Sequence, residues 1–549
     1  DTINDPDGVI YLTGNCCSDM QYYTPFETVD KNNNTDYPVL ANGETGSAAY
    51  LKGQNADNPQ DYLPAGNQEY NQEYSPSYAL FDVEGEKISV RVYNLEGSGE
   101  NPASKEIDAF TVTKNQNAGE KIQGCENGST SLDMEKIGGY DSGMTNADGG
   151  VMEIVDYNAV NGWAYAVNGN TGKLTAIPVK TLEEKESAAD LLDGNDIDVK
   201  SLVEAEGFAY GDMTSVAVAP DGSMLAAAIQ AEDYADNGRA ALFTCNADGT
   251  LTFKMAVETG VQPDMITFTP DSSRILTANE GEPREGYGQG AIDPKGSVTI
   301  IDAATGNAST VGFEKFDHDT LAAQGIVLKK GAAPSEDLEP EYIACSNTKA
   351  YVSLQEANAI AVLDLGNGTF TGIYSAGFED YSRIAVDIDK KDEAYNANTY
   401  ESLRGIRMPD GISLINIGGI DYLLTANEGD SREWGDYLNE DERNFGKGKT
   451  SPTGKITVEN SGLEGKVVFF DSEDYDGLES GRDYLFGGRS FTMFRVTESG
   501  LEEIFDSGSD FEEKTAEYLP EYFNCSNDDL SIDDRSGKKG PEPETVTVG

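Results

Sequence analysis

The sequence predicts an all-β protein, more specifically a β-propeller, from three observations. Its apolar segments are short and are separated by Gly, Asn, Asp and Pro. Hairpin-like units recur every roughly 40–70 residues, as in the blades of a propeller. Two of these hairpins end in the same motif, which reads "RILTANEGEPREG" (274–286) in one and "YLLTANEGDSREWG" (422–435) in the other. A β-sandwich also contains many short strands, but it does not repeat one hairpin, so we predict a propeller.

We predict about seven blades, the last of them incomplete, after a small N-terminal β-rich segment. A third strand is expected after each hairpin, for example "GSVTIID" (296–302) and "GKVVFFD" (465–471). Six units are counted, near 151–178, 213–258, 262–311, 341–375, 408–471 and 484–505. A seventh opens at 541–549 and ends after one strand, which would leave an open sheet edge. We therefore expect another polypeptide, or more of a longer one, to complete the last blade.

Hairpin register predicts where the polar residues at the strand ends lie. Antiparallel pairing about each turn places Asp264 beside Asn279-Glu280 and Asp410 beside Asn427-Glu428. The same count places Asp212 near Gln230 and Glu153 near Asn168. If the first strand of each unit lines the propeller axis, Asp, Glu, Asn and Gln oxygens from several blades form one ring at the channel mouth.

This ring predicts a calcium site. Clustered carboxylates repel one another unless a cation compensates them, and calcium takes six to eight oxygen ligands. Gly281 and Gly429 permit tight turns that bring backbone carbonyls close. The alternative is a purely structural ring of salt bridges. The candidate metal ligands are Asp264, Glu280, Glu356, Asp410, Glu428 and Glu544. Arg284 and Arg432 occupy matching positions after the motif and are candidates to bind an anion or to neutralise Glu285 and Glu433.

Composition excludes several functions. Asp and Glu total 98 against 39 Lys and Arg, a formal charge of −59, which opposes binding to nucleic acid or to anionic lipid. The single histidine, His318, makes His-ligated zinc and Ser/His/Asp chemistry improbable. Six cysteines without C-x-x-C spacing permit disulfides and argue against a thiolate metal site. No segment approaches the roughly 20 apolar residues of a transmembrane helix.

Long motifs from about Leu132 to Gly549 resemble the choice-of-anchor I family, which includes mesenchyme-specific cell-surface glycoproteins associated with biomineral formation. They are "PDMITFTPDSSRILTANEGEP", "MPDGISLINIGGIDYLLTANEGDSREW", "LFGGRSFTMF" and "DDRSGKKGPEPETVTVG". The resemblance implies a secreted or surface-held propeller. It identifies Glu280, Glu428, Glu542 and Glu544 as motif residues without giving them a catalytic role. Some family members are described as alkaline phosphatase-like.

Residues 1–115 do not belong to this propeller. "GVIYLTGNCCSDMQYY" (8–23) and the strands within 78–114 resemble the C-terminal tail of a calcineurin-like metallophosphoesterase. The metal-binding motifs of such an enzyme are missing from this segment, which has no histidine. We therefore predict a remnant of that domain at 1–115, a linker at 116–130 and the propeller at 131–549.

These features predict an extracellular or cell-surface calcium-binding propeller for adhesion, matrix or mineral interaction, within a larger polypeptide. The alternative is a metal-dependent phosphoesterase with its site at the propeller mouth and Arg284 and Arg432 holding phosphate. A third possibility is an accessory domain of a larger metallophosphoesterase, inactive alone. We expect no enzyme activity from this chain by itself, and phosphoric ester hydrolysis if there is any.

Overall fold

The computed structural model describes residues 2–3, 77–84, 87–96, 103–113, 137–145, 151–184, 191–497, 500–526 and 530–548. The chain divides into two compact units, 1–132 and 133–549. The segment 8–23 and the predicted linker lie outside the described residues.

The first unit contains one four-stranded sheet of order β1-β4-β3-β2. Its strands are β1 (Thr2–Ile3), β2 (Ser77–Glu84), β3 (Lys87–Glu96) and β4 (Ala103–Thr113). The pairs β2–β3 and β3–β4 are antiparallel, whereas β1 runs parallel to β4.

The second unit begins with three consecutive four-stranded antiparallel sheets. Each is a meander, because its strands pair in the order in which they follow one another along the chain. Sheet 1 contains β5 (Val155–Asn158), β6 (Trp163–Asn168), β7 (Lys173–Ile177) and β8 (Asn195–Asp198). Sheet 2 contains β9 (Tyr210–Val218), β10 (Met224–Ala231), β11 (Asn237–Cys245) and β12 (Leu251–Val261). Sheet 3 contains β13 (Pro263–Phe268), β14 (Arg274–Asn279), β15 (Ser297–Asp302) and β16 (Ala308–Gly312).

Two more four-stranded sheets follow the short strand β17 (Leu328–Lys329). Sheet 4 contains β18 (Ile343–Cys345), β19 (Lys349–Leu354), β20 (Ala359–Asp364) and β21 (Thr369–Ser375). Next come β22 (Phe378–Asp380) and β23 (Leu403–Ile406), and then the first two strands of sheet 5, β24 (Pro409–Ile417) and β25 (Ile420–Asn427).

A long insertion separates these two strands from the rest of sheet 5. It contains β26 (Glu433–Trp434), β27 (Tyr437–Leu438), β28 (Glu440–Asn444), β29 (Lys466–Phe470), β30 (Tyr475–Asp476) and β31 (Asp483–Phe486). Sheet 5 is then completed by β32 (Ser490–Thr497) and β33 (Gly500–Asp506). The described helices are α1 (Val199–Glu204), α2 (His318–Ala322), α3 (Pro334–Asp337), α4 (Val458–Ser461) and α5 (Asp510–Tyr518).

Sheets that follow one another along the chain pack face to face. Tyr165 of sheet 1 shares a buried cluster with Leu225 of sheet 2, and Ala226 of sheet 2 shares another with Ile275 of sheet 3. Equivalent clusters join sheet 3 to sheet 4 and sheet 4 to sheet 5. The second strands are therefore buried on both faces, which explains their nearly continuous apolar sequences. This repeated packing of small antiparallel sheets confirms the predicted all-β propeller class.

The repeat units do not map one to one onto sheets, and three sequence predictions were wrong in this respect. Segment 465–471 does not provide the third strand of its unit, because β29 pairs with β28 inside the insertion. The units counted fifth and sixth form one sheet, since β25 pairs with β32. Residues 541–548 form no strand, although the Gly411 amide donates to the Glu544 carbonyl oxygen at 3.0 Å. The described residues of the second unit thus contain five four-stranded sheets.

Candidate metal centre

The predicted register at the strand ends is confirmed. Pro263 pairs with Asn279 and Pro409 with Asn427, and a register shift follows each pair. These β-bulges leave Asp264 and Asp410 beside the ends of β14 and β25 and re-aim their side chains out of the regular alternation.

The same register holds in the first two sheets. Met213 pairs with Ile229 and Tyr210 with Ala231, which places Asp212 opposite Gln230. In sheet 1 the Val167 amide donates to the Ile154 carbonyl, so Glu153 lies opposite Asn168.

The structure brings three carboxylates together at the junction of sheets 3 and 4. Asp264 comes from β13, Glu280 directly follows β14, and Glu341 lies two residues before β18. One carboxylate oxygen of each lies within 4.8 Å of the other two. We call these residues the carboxylate triad.

Asp264 and Glu280 were predicted from the sequence, whereas Glu341 was missed. Its signal is a proline-acid pair ahead of a strand, because Pro340-Glu341 stands before β18 as Pro263-Asp264 opens β13 and Pro409-Asp410 opens β24. The backbone fixes Glu341 through its amide, which donates to the Ser353 carbonyl at 3.1 Å.

Burial raises the pKa of every member of the triad. The pKa of Asp264 rises to about 7, first because of burial and then because of the charge on Glu282, although Arg284 opposes the rise. Burial, followed by the Asp264 charge, raises the pKa of Glu280 well above its ordinary value. Glu341 shows the same effect from burial and from Glu280. Three carboxylates in this environment are not all ionised at neutral pH unless a cation compensates them.

The charges of Glu356 and Asp410 act on the triad, because both raise the pKa of Glu341. Burial raises the pKa of Glu356 to about 7, and its Oε2 atom is buried without a hydrogen-bond partner among the described residues. The pKa of Asp410 rises to about 9 through burial, then through the charges of Glu428 and Glu544, with Asp264 also contributing. Asp410 thus links the triad electrostatically to a second acidic group.

Glu428 and Glu544 form this second group. Gln355 Nε2 donates to Glu428 Oε2 at 2.7 Å, and burial raises the Glu428 pKa to about 7. Both glutamates line a cavity of about 450 Å³. Of the six predicted metal ligands, the structure therefore places Asp264 and Glu280 in the triad. The metal role of all six residues stays a prediction.

The two candidate anion-binding arginines have different surroundings. Arg284 is partly exposed, with Nε 3.1 Å from Glu282 and Nη2 2.9 Å from Gln230 Oε1. Arg432 is fully buried, and its guanidinium forms an ion pair with Asp337 and lies 3.5 Å from Glu339. Arg432 could bind an external anion only if this internal ion pair opened.

The two asparagines of the repeated motif stabilise the sheets, so the prediction that they supply ring oxygens was wrong. Asn279 Oδ1 accepts from Thr277, and its Nδ2 donates to Ser297 and Thr299 at 3.2 and 3.0 Å. Asn427 repeats this network: its Oδ1 accepts from Thr425, and its Nδ2 donates to Ser490 and Thr492. Both side chains are fully buried and tie the second strand of a sheet to its third.

The glycine that ends each motif is required by a close backbone approach. Gly281 and Gly429 have φ values of 71° and 92°, a region that favours glycine. A Cβ atom at Gly429 would lie 2.1 Å from the Gly487 amide nitrogen. The motif therefore combines a buried asparagine, a glutamate at the strand end and a glycine turn.

The chain is similar to proteins of known sequence and structure. It is 28% identical over 255 residues to the mesenchyme-specific cell surface glycoprotein of Strongylocentrotus purpuratus, and the match covers 39% of this chain and 32% of that protein. The chain thus spans about a third of that relative's length.

Two solved structures are similar to most of the chain. One is a protein from Lactobacillus plantarum, at 11% identity with a TM-score of 0.31, covering 74% of this chain and 82% of that one. The other contains the RRP9 WD40 repeats, at 9% identity with a TM-score of 0.28, covering 65% of this chain and 80% of that one.

No helix within the described ranges is long and apolar enough to cross a membrane. The choice-of-anchor I domain model matches residues 153–549, more than half of the sequence and all five sheets of the second unit. The chain therefore belongs to the choice-of-anchor I domain family.

Proposed function

We propose that the chain is a calcium-binding β-propeller that acts outside the cell or at its surface, in adhesion, matrix or mineral interaction. The observation that supports calcium is the triad, in which three carboxylates from two adjacent sheets approach within 4.8 Å of one another. The support for surface location is the cell-surface glycoprotein relative.

The chemistry of the triad favours a hard divalent cation. Its ligand atoms are all carboxylate oxygens, the ligands that calcium takes at about 2.3–2.6 Å. Two oxygens on opposite sides of a calcium ion are therefore separated by up to about 5 Å, which the triad spacing fits. Magnesium needs a tighter octahedral shell at about 2.0–2.1 Å.

An independent observation supports a cation rather than a ring of salt bridges. Glu356 is 6% exposed, and its Oε2 atom has no hydrogen-bond partner among the described residues. A buried carboxylate oxygen without a partner is unfavourable. Its charge also raises the pKa of Glu280 and Glu341, after the larger effect of burial, so a cation at the triad would relieve all three groups.

Calcium in this position would rigidify the propeller. Asp264 and Glu280 belong to sheet 3, and Glu341 leads into sheet 4, so one ion would connect neighbouring sheets. Because calcium binds the folded chain and not the unfolded one, it stabilises the fold by about 2.7 kcal/mol at 100 times its Kd.

The test compares the melting temperature of the full chain in EDTA, calcium and magnesium. For the wild type we expect a rise of several degrees in calcium and a smaller rise in magnesium. The double variant Glu280→Gln/Glu341→Gln should lose the calcium response. It should also melt higher than wild type in EDTA, because it removes two buried carboxyl groups whose raised pKa values destabilise the fold at neutral pH. Glu232→Gln, which neutralises one exposed glutamate outside the triad, should respond as wild type does. A calcium response retained by the double variant would contradict the proposal.

The phosphoesterase alternative finds less support. It needs two arginines free to hold phosphate, and Arg432 is paired with Asp337 in the interior. The single histidine, His318, contacts the Ala332 carbonyl and the Asp476 carboxylate. We therefore propose no second function.

A further inference from the structure

A cavity of about 450 Å³ adjoins the second acidic group. Its walls come from the end of β25, from helix α5 and the residues after it, and from the chain around 535–544. Polar residues in its wall include Glu428, Tyr522, Asn524, Arg535, Glu542 and Glu544. A water molecule occupies about 30 Å³ of liquid, so this space is far larger than a single metal ion requires.

The charge of the cavity wall is negative. Arg535, the one arginine in the wall, forms an ion pair with Glu542, which also lies 3.6 Å from Lys539. Lys539 in turn forms an ion pair with Asp430 at 2.5 Å. These pairs neutralise the basic groups, which leaves the carboxyl groups of Glu428 and Glu544 facing the space.

A buried acceptor in the same wall points to a donor ligand. Asn524 is 4% exposed, and its Nδ2 donates to Glu512 Oε1 at 3.3 Å and to Ser536 Oγ at 2.9 Å. The amide orientation follows from these bonds, because Glu512 pairs with Arg489 and acts as an acceptor. Asn524 Oδ1 is then left without a hydrogen-bond partner among the described residues. Such an acceptor is unfavourable until an N–H or O–H group reaches it.

We infer that this cavity binds the guanidinium or ammonium group of an arginine or lysine side chain from a partner polypeptide. Glu428 and Glu544 supply the opposite charge, and Asn524 Oδ1 accepts one of the several hydrogen bonds that such a group donates. The ring of Tyr522, which is half exposed, offers an apolar surface to the methylene stem of the side chain. The strongly acidic chain attracts basic segments over longer distances.

The inference is tested with the full chain and two nearly isosteric probes in saturating calcium. Nα-acetyl-arginine amide and Nα-acetyl-citrulline amide differ mainly in charge, and their binding is measured by saturation-transfer NMR titration. We expect the arginine probe to bind at least about tenfold more tightly, which is the usual effect of one charged hydrogen-bonded pair. Nα-acetyl-lysine amide should also bind more tightly than the citrulline probe.

Variants locate the binding. Glu428→Gln keeps the acceptor for Gln355, and Glu544→Gln changes an exposed residue, so both should fold. Each variant should weaken binding of the arginine probe at least about fivefold, whereas Glu232→Gln should leave this binding unchanged. Equal binding of the arginine and citrulline probes, binding unaffected by both variants, or no binding of the arginine probe would overturn the inference. Arginine-probe binding that is present in EDTA and lost in saturating calcium would also overturn it, because the cavity would then be a metal site.

Discussion

Asp264 shows how one residue changes its chemistry with its surroundings. A bulge displaces it from the strand alternation, and burial, together with the charges of neighbouring acids, raises its pKa to about 7. Asp271 lies at the exposed turn of the same hairpin, where hydrogen bonds from Ser273 lower its pKa. Burial and acidic neighbours therefore give two aspartates of one hairpin pKa values that are shifted in opposite directions.

These opposite shifts predict opposite pH dependences. A carboxyl group whose pKa is higher in the folded chain stabilises the fold at low pH, and this contribution is lost as pH rises from about 4 to about 7. In EDTA we therefore expect Asp264→Asn to gain stability relative to wild type, by a few kcal/mol, as pH increases over this range. The measurement is the free energy of unfolding in urea at several pH values.

The control for this prediction is Asp271→Asn. The pKa of Asp271 is lowered, so its contribution is present above its unfolded pKa and is already complete at pH 5. The difference in the free energy of unfolding between Asp271→Asn and wild type should then stay constant between pH 5 and 7. Parallel curves for wild type and Asp264→Asn would show that Asp264 titrates normally.

At the scale of elements, the repeated motif is a device for ending the second strand of a sheet. The buried asparagine ties that strand to the third one, and the glycine redirects the chain. The glutamate between them is left at the rim of the sheet, where the triad and the second acidic group form. The same three-residue motif thus stabilises the sheet and supplies a candidate metal ligand.

The glycine requirement is testable with two glycines of the same hairpin. Gly429 has φ 92° and no room for a Cβ atom, whereas Gly418 has φ 61° and open space around it. We expect Gly418→Ala to cost about 1–2 kcal/mol, the cost of a left-handed residue. Gly429→Ala should cost more than about 4 kcal/mol, since backbone atoms must move. Urea denaturation measures both, and equal costs would contradict the role given to Gly429.

At the scale of the whole molecule, the charge of −59 opposes compaction. Like charges destabilise a compact state through self-repulsion, and salt screens exposed charges over a Debye length that falls from about 30 Å at 0.01 M to about 3 Å at 1 M. Buried charges are screened much less. Salt and calcium should therefore stabilise the chain by separable effects.

We expect the melting temperature in EDTA to rise as sodium chloride is increased from about 20 to about 500 mM. Glu280→Gln/Glu341→Gln should show the same rise with salt while lacking the calcium response. Differential scanning calorimetry at matched ionic strength distinguishes the two effects. A melting temperature that falls as salt is added would show that ion pairs, rather than repulsion, dominate the stability of the chain.

Local sequence determined the class of the fold and the pairing within each hairpin. Alternating apolar residues and turn residues fix the register of adjacent strands, so the positions of Asp264 and Asp410 were predicted correctly.

Only the tertiary structure decided the pairings that cross long stretches of chain. β32 joins β25 across an insertion that holds six short strands, and Glu341 reaches Glu280 from the next sheet. The sequence likewise gave no indication that Arg432 would be buried against Asp337, or that Asn427 would bond to Ser490 and Thr492. The physical reason is that such contacts depend on the packing of whole sheets, which turn residues and strand alternation do not encode.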